Sequence, residues 1–175
     1  MQTNVKTTTR RLTIAAVFMA MNIALSSFGI SVPGVTLSLN DIVICLAALL
    51  LGPFEAFAVG GIGAFLGDLF FYPTPMFVSL VTHGLQAVVI SLIAHKAFKQ
   101  KPVAASILAV TVGAVIMIVG YTLGRAYIYA TPETAVLKLP YQIAQATLGA
   151  VLGTVLYWLG GIKKLFDRYI AGESI

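Results

Sequence analysis

The sequence predicts an all-α integral membrane protein, a bundle of six transmembrane helices with both termini cytoplasmic. Three observations carry this expectation. Of the 175 residues, 59% are apolar and 10% charged, where a soluble domain carries about 25% charged residues. The segments 12–40, 69–95, 102–124 and 139–162 contain no Asp, Glu, Lys or Arg, and each reaches the length of about 20 apolar residues that a spanning helix needs. Nine of the eleven Lys and Arg residues fall into three clusters, as the cytoplasmic ends and loops of a multi-pass protein do.

Each element is placed by its punctuation. Helix one covers residues 12–29 and is followed by a turn at Ser31, Val32, Pro33 and Gly34. Helix two is short, residues 39–51, because Gly52-Pro53 breaks it. Helix three covers 54–71 and ends at Tyr72-Pro73-Thr74-Pro75; helix four covers 76–98 and helix five 103–127. After Thr131-Pro132-Glu133, helix six covers 139–160, starting at Leu139 or Pro140 and stopping at Gly160-Gly161 ahead of a short amphipathic tail. The whole chain, 1–175, is then one membrane domain.

Residues 39–71 read equally as one kinked span or two short ones, and parity of the charge clusters decides between them. Lys6, Arg10 and Arg11 precede helix one; Lys96, Lys99 and Lys101 separate helices four and five; Lys163, Lys164 and Arg168 follow helix six. If all three clusters are cytoplasmic, an even number of crossings separates each from the next, giving four and then two. Loops 30–38, 72–75 and 128–138 then lie outside, with Arg125 and Lys138 as the two exceptions. A cleaved signal peptide is the competing reading of the N-terminus. Ser26-Ser27-Phe28 makes a poor cleavage site, however, and parity favours a retained helix. The net charge of +5 is accounted for by topology and anionic lipid headgroups, with no basic face for nucleic acid.

Polar groups inside a membrane must be partnered and therefore mark function by default. Here they share one depth. Asn40 and Asp41 open helix two, Asp68 lies one turn from the outer end of helix three, and Tyr121 and Arg125 lie near the outer end of helix five. Tyr141, Gln142 and Gln145 lie in the first turns of helix six. His83 is about 12 Å below Pro75 in helix four, with Gln86 one turn deeper. The inner halves are rich in Ala, Gly, Leu and Val. This asymmetry predicts a pocket entered from outside, lined by amide, imidazole, phenol and guanidinium groups and suited to a small, flat, polar solute. The candidate substrate-binding residues are Asn40, Asp41, His83, Gln86, Tyr121, Arg125, Tyr141, Gln142 and Gln145.

Structural roles compete at each position. Asp68 can pair with Arg125 or Lys138, His83 can bond a backbone carbonyl, and Gln142 and Gln145 can join helices. Asp41 can cap helix two, alongside Ser38 and Asn40, and Tyr72, Tyr127, Tyr129 and Tyr141 can form an interfacial belt. Small residues make a second pattern: Ala16, Ala20 and Ala24 form one smooth stripe on helix one, with Met19 and Ile23 beside it, where another helix can approach closely. Gly60, Gly63, Ala64, Gly67, Gly149 and Gly153 are expected to pack within the bundle. With one cysteine, Cys45, the chain builds no disulfide and no cysteine-ligated zinc site. It also lacks a phosphate-binding GxxxxGK[ST] loop, a His-Glu metal motif and an acidic pair for hydrolysis, so no metal or cofactor is expected and no ATP is used by this chain alone.

Six short helices, the alanine stripe and the segment LLLGPFEAFAVGGIGAFLGDLFF resemble the substrate-binding S component of an energy-coupling factor (ECF) vitamin transporter. The segments TPMFVSLVTHGLQAVVISLI, GYTLGRAYIYA and LPYQIAQATLGAVLG are similar to the riboflavin-type and hydroxymethylpyrimidine-type subgroup. The resemblance implies capture of a vitamin from outside, closure of the loop after helix one, and docking on a shared transmembrane subunit driven by two ATPases, in a bacterial cell membrane. It also implies that Ala16, Ala20 and Ala24 face that subunit, and that ligand is bound by residues 35–40, His83, Gln86, Tyr121, Arg125, Tyr141, Gln142 and Gln145. Trp158 is the single tryptophan, which disfavours a thiamin-type site. Hydroxymethylpyrimidine or pyridoxine fits the polar set best, with riboflavin and pantothenate next. A stand-alone channel, facilitator or structural subunit is the reading from another class. An intramembrane enzyme is disfavoured, because Ser79 and His83 lie one turn apart without a third group to orient the histidine.

Overall fold

The computed structural model describes residues 2–32, 35–97 and 100–171. In chain order these form α1 (Gln2–Ser27), a hairpin of β1 (Gly29–Val32) and β2 (Val35–Ser38), α2 (Asn40–Leu50), α3 (Pro53–Phe71), α4 (Met76–Lys96), α5 (Pro102–Tyr129), α6 (Pro132–Trp158) and α7 (Ile162–Ala171). Proline stands in the first turn of α3, α5 and α6, where its missing N–H costs nothing and its fixed φ suits the helix. Positive φ at Gly161 turns the chain between α6 and α7, which are bent by 56°.

Helices two to five lie within two residues of their expected bounds. α1 begins at Gln2 instead of Leu12, because the polar residues ahead of the apolar run continue the helix. Helix six also starts early, at Pro132 instead of Leu139 or Pro140, which places Pro140 inside α6. Thr131 caps it by accepting the Thr134 N–H at 3.4 Å. The third departure is the hairpin, because the loop after helix one is not irregular. Gly29 pairs with Ser38, Ile30 with Leu37, Ser31 with Thr36 and Val32 with Val35, since the chain here is rich in residues that favour strands. Pro33, Gly34, Phe98 and Lys99 lie outside the described residues.

α3, α4 and α5 are long and apolar enough to cross a membrane, and α6 with α7 makes a fourth if the bent pair is one span. α2 is too short for that test at 11 residues, yet it is buried from Asn40 to Leu50 except at Ile42. It is the hub of the bundle, touching α1, α4, α5 and α6. One core cluster joins Ile44 and Leu49 of α2 with Ile90 of α4 and Val110 of α5. A second joins Leu46 and Leu50 of α2 with Ala15 of α1 and Val59 of α3, and Ile162 and Phe166 of α7 pack on it. The glycines of α3 and α6 pack inside the bundle, as their spacing suggests: a Cβ at Gly63 would meet Asn22 of α1, and one at Gly153 would meet Cys45 of α2.

One end of the bundle holds Arg10, Arg11 and Glu55. There Arg11 lies 3.5 Å from Glu55, Ser91 donates to the Leu51 carbonyl at 2.7 Å, and Arg10 donates to the Ile170 carbonyl at 3.4 Å and covers the Tyr169 ring. The other end gathers the hairpin, the start of α2 and most of the polar side chains of the helix interiors. Along α1, Ala16, Ala20 and Ala24 are exposed, while Ala15 and Asn22 face inward.

Candidate functional site

The outer polar residues converge on Asp41. This carboxylate is 1% exposed and accepts from Gln86 Nε2 at 3.3 Å and from Gln145 Nε2 at 2.7 Å. Both amides thus turn their NH2 groups toward it, which leaves their carbonyl oxygens as acceptors for the rest of the chain of bonds. Gln86 Oε1 then accepts from His83 Nδ1 at 2.7 Å, and Gln145 Oε1 accepts the Ser38 N–H at 3.1 Å. His83 Nδ1 is also 3.7 Å from Asp41 Oδ1. Four elements are therefore tied through one carboxylate: the hairpin by Ser38, α2 by Asp41, α4 by His83 and Gln86, and α6 by Gln145.

Close packing makes this possible. A Cβ on Gly149 would lie 2.5 Å from Asp41 Cβ and 3.1 Å from its backbone carbon, so α6 reaches α2 only because residue 149 has no side chain. Gly149→Ala should therefore separate the helices, lower stability by about 1–3 kcal/mol, and weaken ligand capture. Thermal unfolding of the detergent-solubilised variant checks this, and an unchanged midpoint would show that α6 is not held at that contact.

A second set adjoins the first. Ser79 of α4 donates to Asp68 of α3, so its oxygen accepts from the Tyr121 hydroxyl of α5. The Tyr121 and His83 rings are 5.2 Å apart and tilted. Arg125 does not pair with Asp68. It donates to Gln142 Oε1 at 2.7 Å and lies over the Tyr129 ring, and Gln142 Nε2 donates to the Ile118 carbonyl at 3.2 Å.

Most of the expected site residues thus come together: Asp41, His83, Gln86 and Gln145 in one network, Tyr121 against His83, and Arg125 with Gln142 beside them. Tyr141 is exposed at 36%, one turn before Gln145. Asn40 is buried, and its Oδ1 has no hydrogen-bond partner among the described residues. Asp41 is no cap: the N-cap of α2 is Leu39, with no side-chain cap bond. Ser38 Oγ instead accepts the Asn40 N–H at 3.4 Å. His83 takes a side-chain partner, not a backbone carbonyl. The side chains of residues 35–37 lie outside what is described.

Sequence reasoning counted Asp41 among the candidate binding residues but missed that it is the centre of the hydrogen-bond network, since a cap was the competing role; it placed Asp68 at the same depth, with a ligand contact and an ion pair to Arg125 or Lys138 as the competing roles. It also passed over Asn22, a lone amide in the apolar run of α1 whose Nδ2 donates to the Val59 carbonyl at 2.7 Å. No group of three or more His, Cys, Asp or Glu residues is placed to hold a metal among the described residues.

Comparison with known proteins gives two results. The family model described as ECF-type riboflavin transporter, S component, matches residues 6–163. An uncharacterized protein from a gap 3' region of Pyrococcus woesei is 30% identical over 134 residues, 77% of this chain and 84% of that relative.

Proposed function

The chain belongs to the family of ECF-type riboflavin transporter S components, and on that premise we propose that it captures a neutral heteroaromatic vitamin or precursor at the Asp41 network. It is a multi-pass membrane protein with a substrate-binding role in vitamin transport, and ATP hydrolysis belongs to its partners. The observation that carries the proposal is that Gln145, which donates to Asp41, also accepts the Ser38 N–H of the hairpin, so the hairpin joins the network of Asp41, Gln86 and His83 through one side chain. A segment tied to the site in this way is suited to close over a bound solute.

Hydroxymethylpyrimidine and pyridoxine fit this chemistry first. Each offers a flat ring for His83 and Tyr121 and hydroxyl or amino donors for carboxylate and amide oxygens, including the unpartnered Asn40 Oδ1. Riboflavin is the second reading, favoured by the family whose model matches. The carboxylate at the centre of the site, Asp41, and that of Asp68 in the adjoining set argue against the anionic pantothenate.

The remaining parts of the reading rest on the ends of the bundle. α1 and α7 meet through Arg10 and Tyr169, which supports an even number of crossings. Six spans with cytoplasmic termini agree with that and with the three basic clusters. The exposed stripe of Ala16, Ala20 and Ala24 is the docking face for the shared transmembrane subunit of the ECF module, whose two ATPases drive delivery.

The test is mass spectrometry of small molecules released from the purified protein, followed by calorimetric titration with hydroxymethylpyrimidine, pyridoxine and riboflavin. One of these should bind at one per chain. His83→Ala and Gln86→Ala should each weaken it about 10-fold, the loss of about one buried hydrogen bond. A protein that arrives empty and binds none of the three would return the channel or scaffold reading, and unchanged affinity in both variants would move the pocket elsewhere.

A further inference from the structure

Among the described side chains of α1, Asn22 is the buried polar one, fully covered, and it takes no part in the Asp41 network. Its Nδ2 donates to Val59 O at 2.7 Å, while its Oδ1 is buried without a partner. An orphaned amide oxygen costs stability, so an apolar residue would serve better there unless the donated bond has a task. Val59 belongs to a π-turn, Ala58–Ile62, within α3. Such a turn holds one residue more than the α-helix around it and disturbs the regular pairing of backbone carbonyls. Asn22 supplies a donor to one of these carbonyls.

The extra residue changes the direction of every side chain beyond it. Relative to an unbroken helix it rotates the rest of α3 by about 100°, and Asp68 lies on that part. The same turn rests directly on α4: a Cβ on Gly60 would come 2.8 Å from the His83 carbonyl, and one on Gly61 would come 3.1 Å from Gly84 Cα. The π-turn is therefore held in front by the backbone that bears His83 and from behind by Asn22. We propose that Asn22 is a positioning residue, which preserves the π-turn and thereby sets the rotation at which Asp68 meets Ser79 and Tyr121. Its importance for transport rests on the reading of that cluster as part of the ligand site; the positioning itself does not.

The experiment uses Asp68→Cys with Ser79→Cys and a short bis-methanethiosulfonate bridge, with the protein retaining only its buried Cys45 as control. Bridging should be rapid in the Asn22 protein and about tenfold slower with Asn22→Leu, as the native rotation loses population. Deleting Ile62, which is exposed, removes the extra residue and should restore rapid bridging to Asn22→Leu, because a plain α-helix then carries residue 68 on its original face. Equal bridging with and without the Asn22→Leu substitution, or a loss that the deletion fails to restore, would overturn the proposal. If Asn22→Leu alone does not fold, its combination with the deletion decides: folded and bridged supports the proposal, unfolded overturns it. Titration of Asn22→Leu with hydroxymethylpyrimidine, pyridoxine and riboflavin separates the two layers. Slowed bridging with unchanged affinity for the bound vitamin would uphold the positioning role and reject Asp68 as part of the ligand site.

Discussion

Asp41→Ala should abolish capture, lowering ligand affinity by at least about 100-fold and stability by about 1–3 kcal/mol, since the buried Gln86 amide loses its oxygen acceptor and the half-buried Gln145 loses its own. Gln86 Nε2 and Gln145 Nε2 both point at this carboxylate, and Gln86, at 1% exposure, has no water to turn to. The effect should spread beyond the pocket. Once Gln145 is released, its hold on the Ser38 N–H is lost, and hydrogen exchange at residue 38 should rise. Asp41→Asn is the informative companion: it keeps the shape and one acceptor oxygen but turns a donor toward one of the amides, so its losses should fall between native and alanine. Calorimetry and thermal unfolding of both variants check the order. An alanine variant that binds normally would mean that the network holds helices together and nothing more.

The second large effect concerns the exposed stripe of α1. Ala20→Trp should prevent assembly with the transmembrane subunit and its ATPases, and thereby eliminate uptake, while leaving calorimetric affinity unchanged. Ala20 is exposed between Ala16 and Ala24, so an indole there meets no neighbour within this chain's core and disturbs only a partner that approaches closely. Co-purification of the complex with wild-type and variant chains gives the comparison. A full complex and normal uptake with tryptophan at this position would reject the stripe as the docking face, and a loss of ligand affinity would show that the stripe also supports the pocket.

How far the sequence anticipated these results depended on whether the signal was local. Apolar runs bounded by Gly52-Pro53, by Pro73 and Pro75, and by Pro102 located α2 to α5 closely, because proline and glycine act on the backbone at their own position. Pro140 misled for the same reason: it was read as a helix start, when the earlier Thr131-Pro132 pair already provided a cap and a first turn. The hairpin was legible in principle from Ile30, Val32, Val35 and Thr36 around a Pro-Gly pair, but the turn signal was taken for the whole loop. Shared depth drew attention to His83, Gln86 and Gln145. It could not reveal that they meet at Asp41, which lies 45 residues from Gln86 and 104 from Gln145 in the chain. Nor could any periodicity single out Asn22, whose meaning comes from a carbonyl 37 residues away.

The shortness of α2 has a consequence for the energetics of crossing. Eleven residues rise about 16 Å, roughly half of an apolar core about 30 Å thick. If its C-terminal end, bonded through the Leu51 carbonyl to Ser91, lies at the cytoplasmic surface as the proposed topology has it, Asn40 and Asp41 stand about half-way through the low-dielectric layer. On the proposed capture at Asp41, a vitamin that reaches these residues by diffusion would already have traversed much of the barrier that excludes polar solutes from lipid. The work left for the partners' ATP-driven step would then be the remaining half of that barrier, together with release from Asp41.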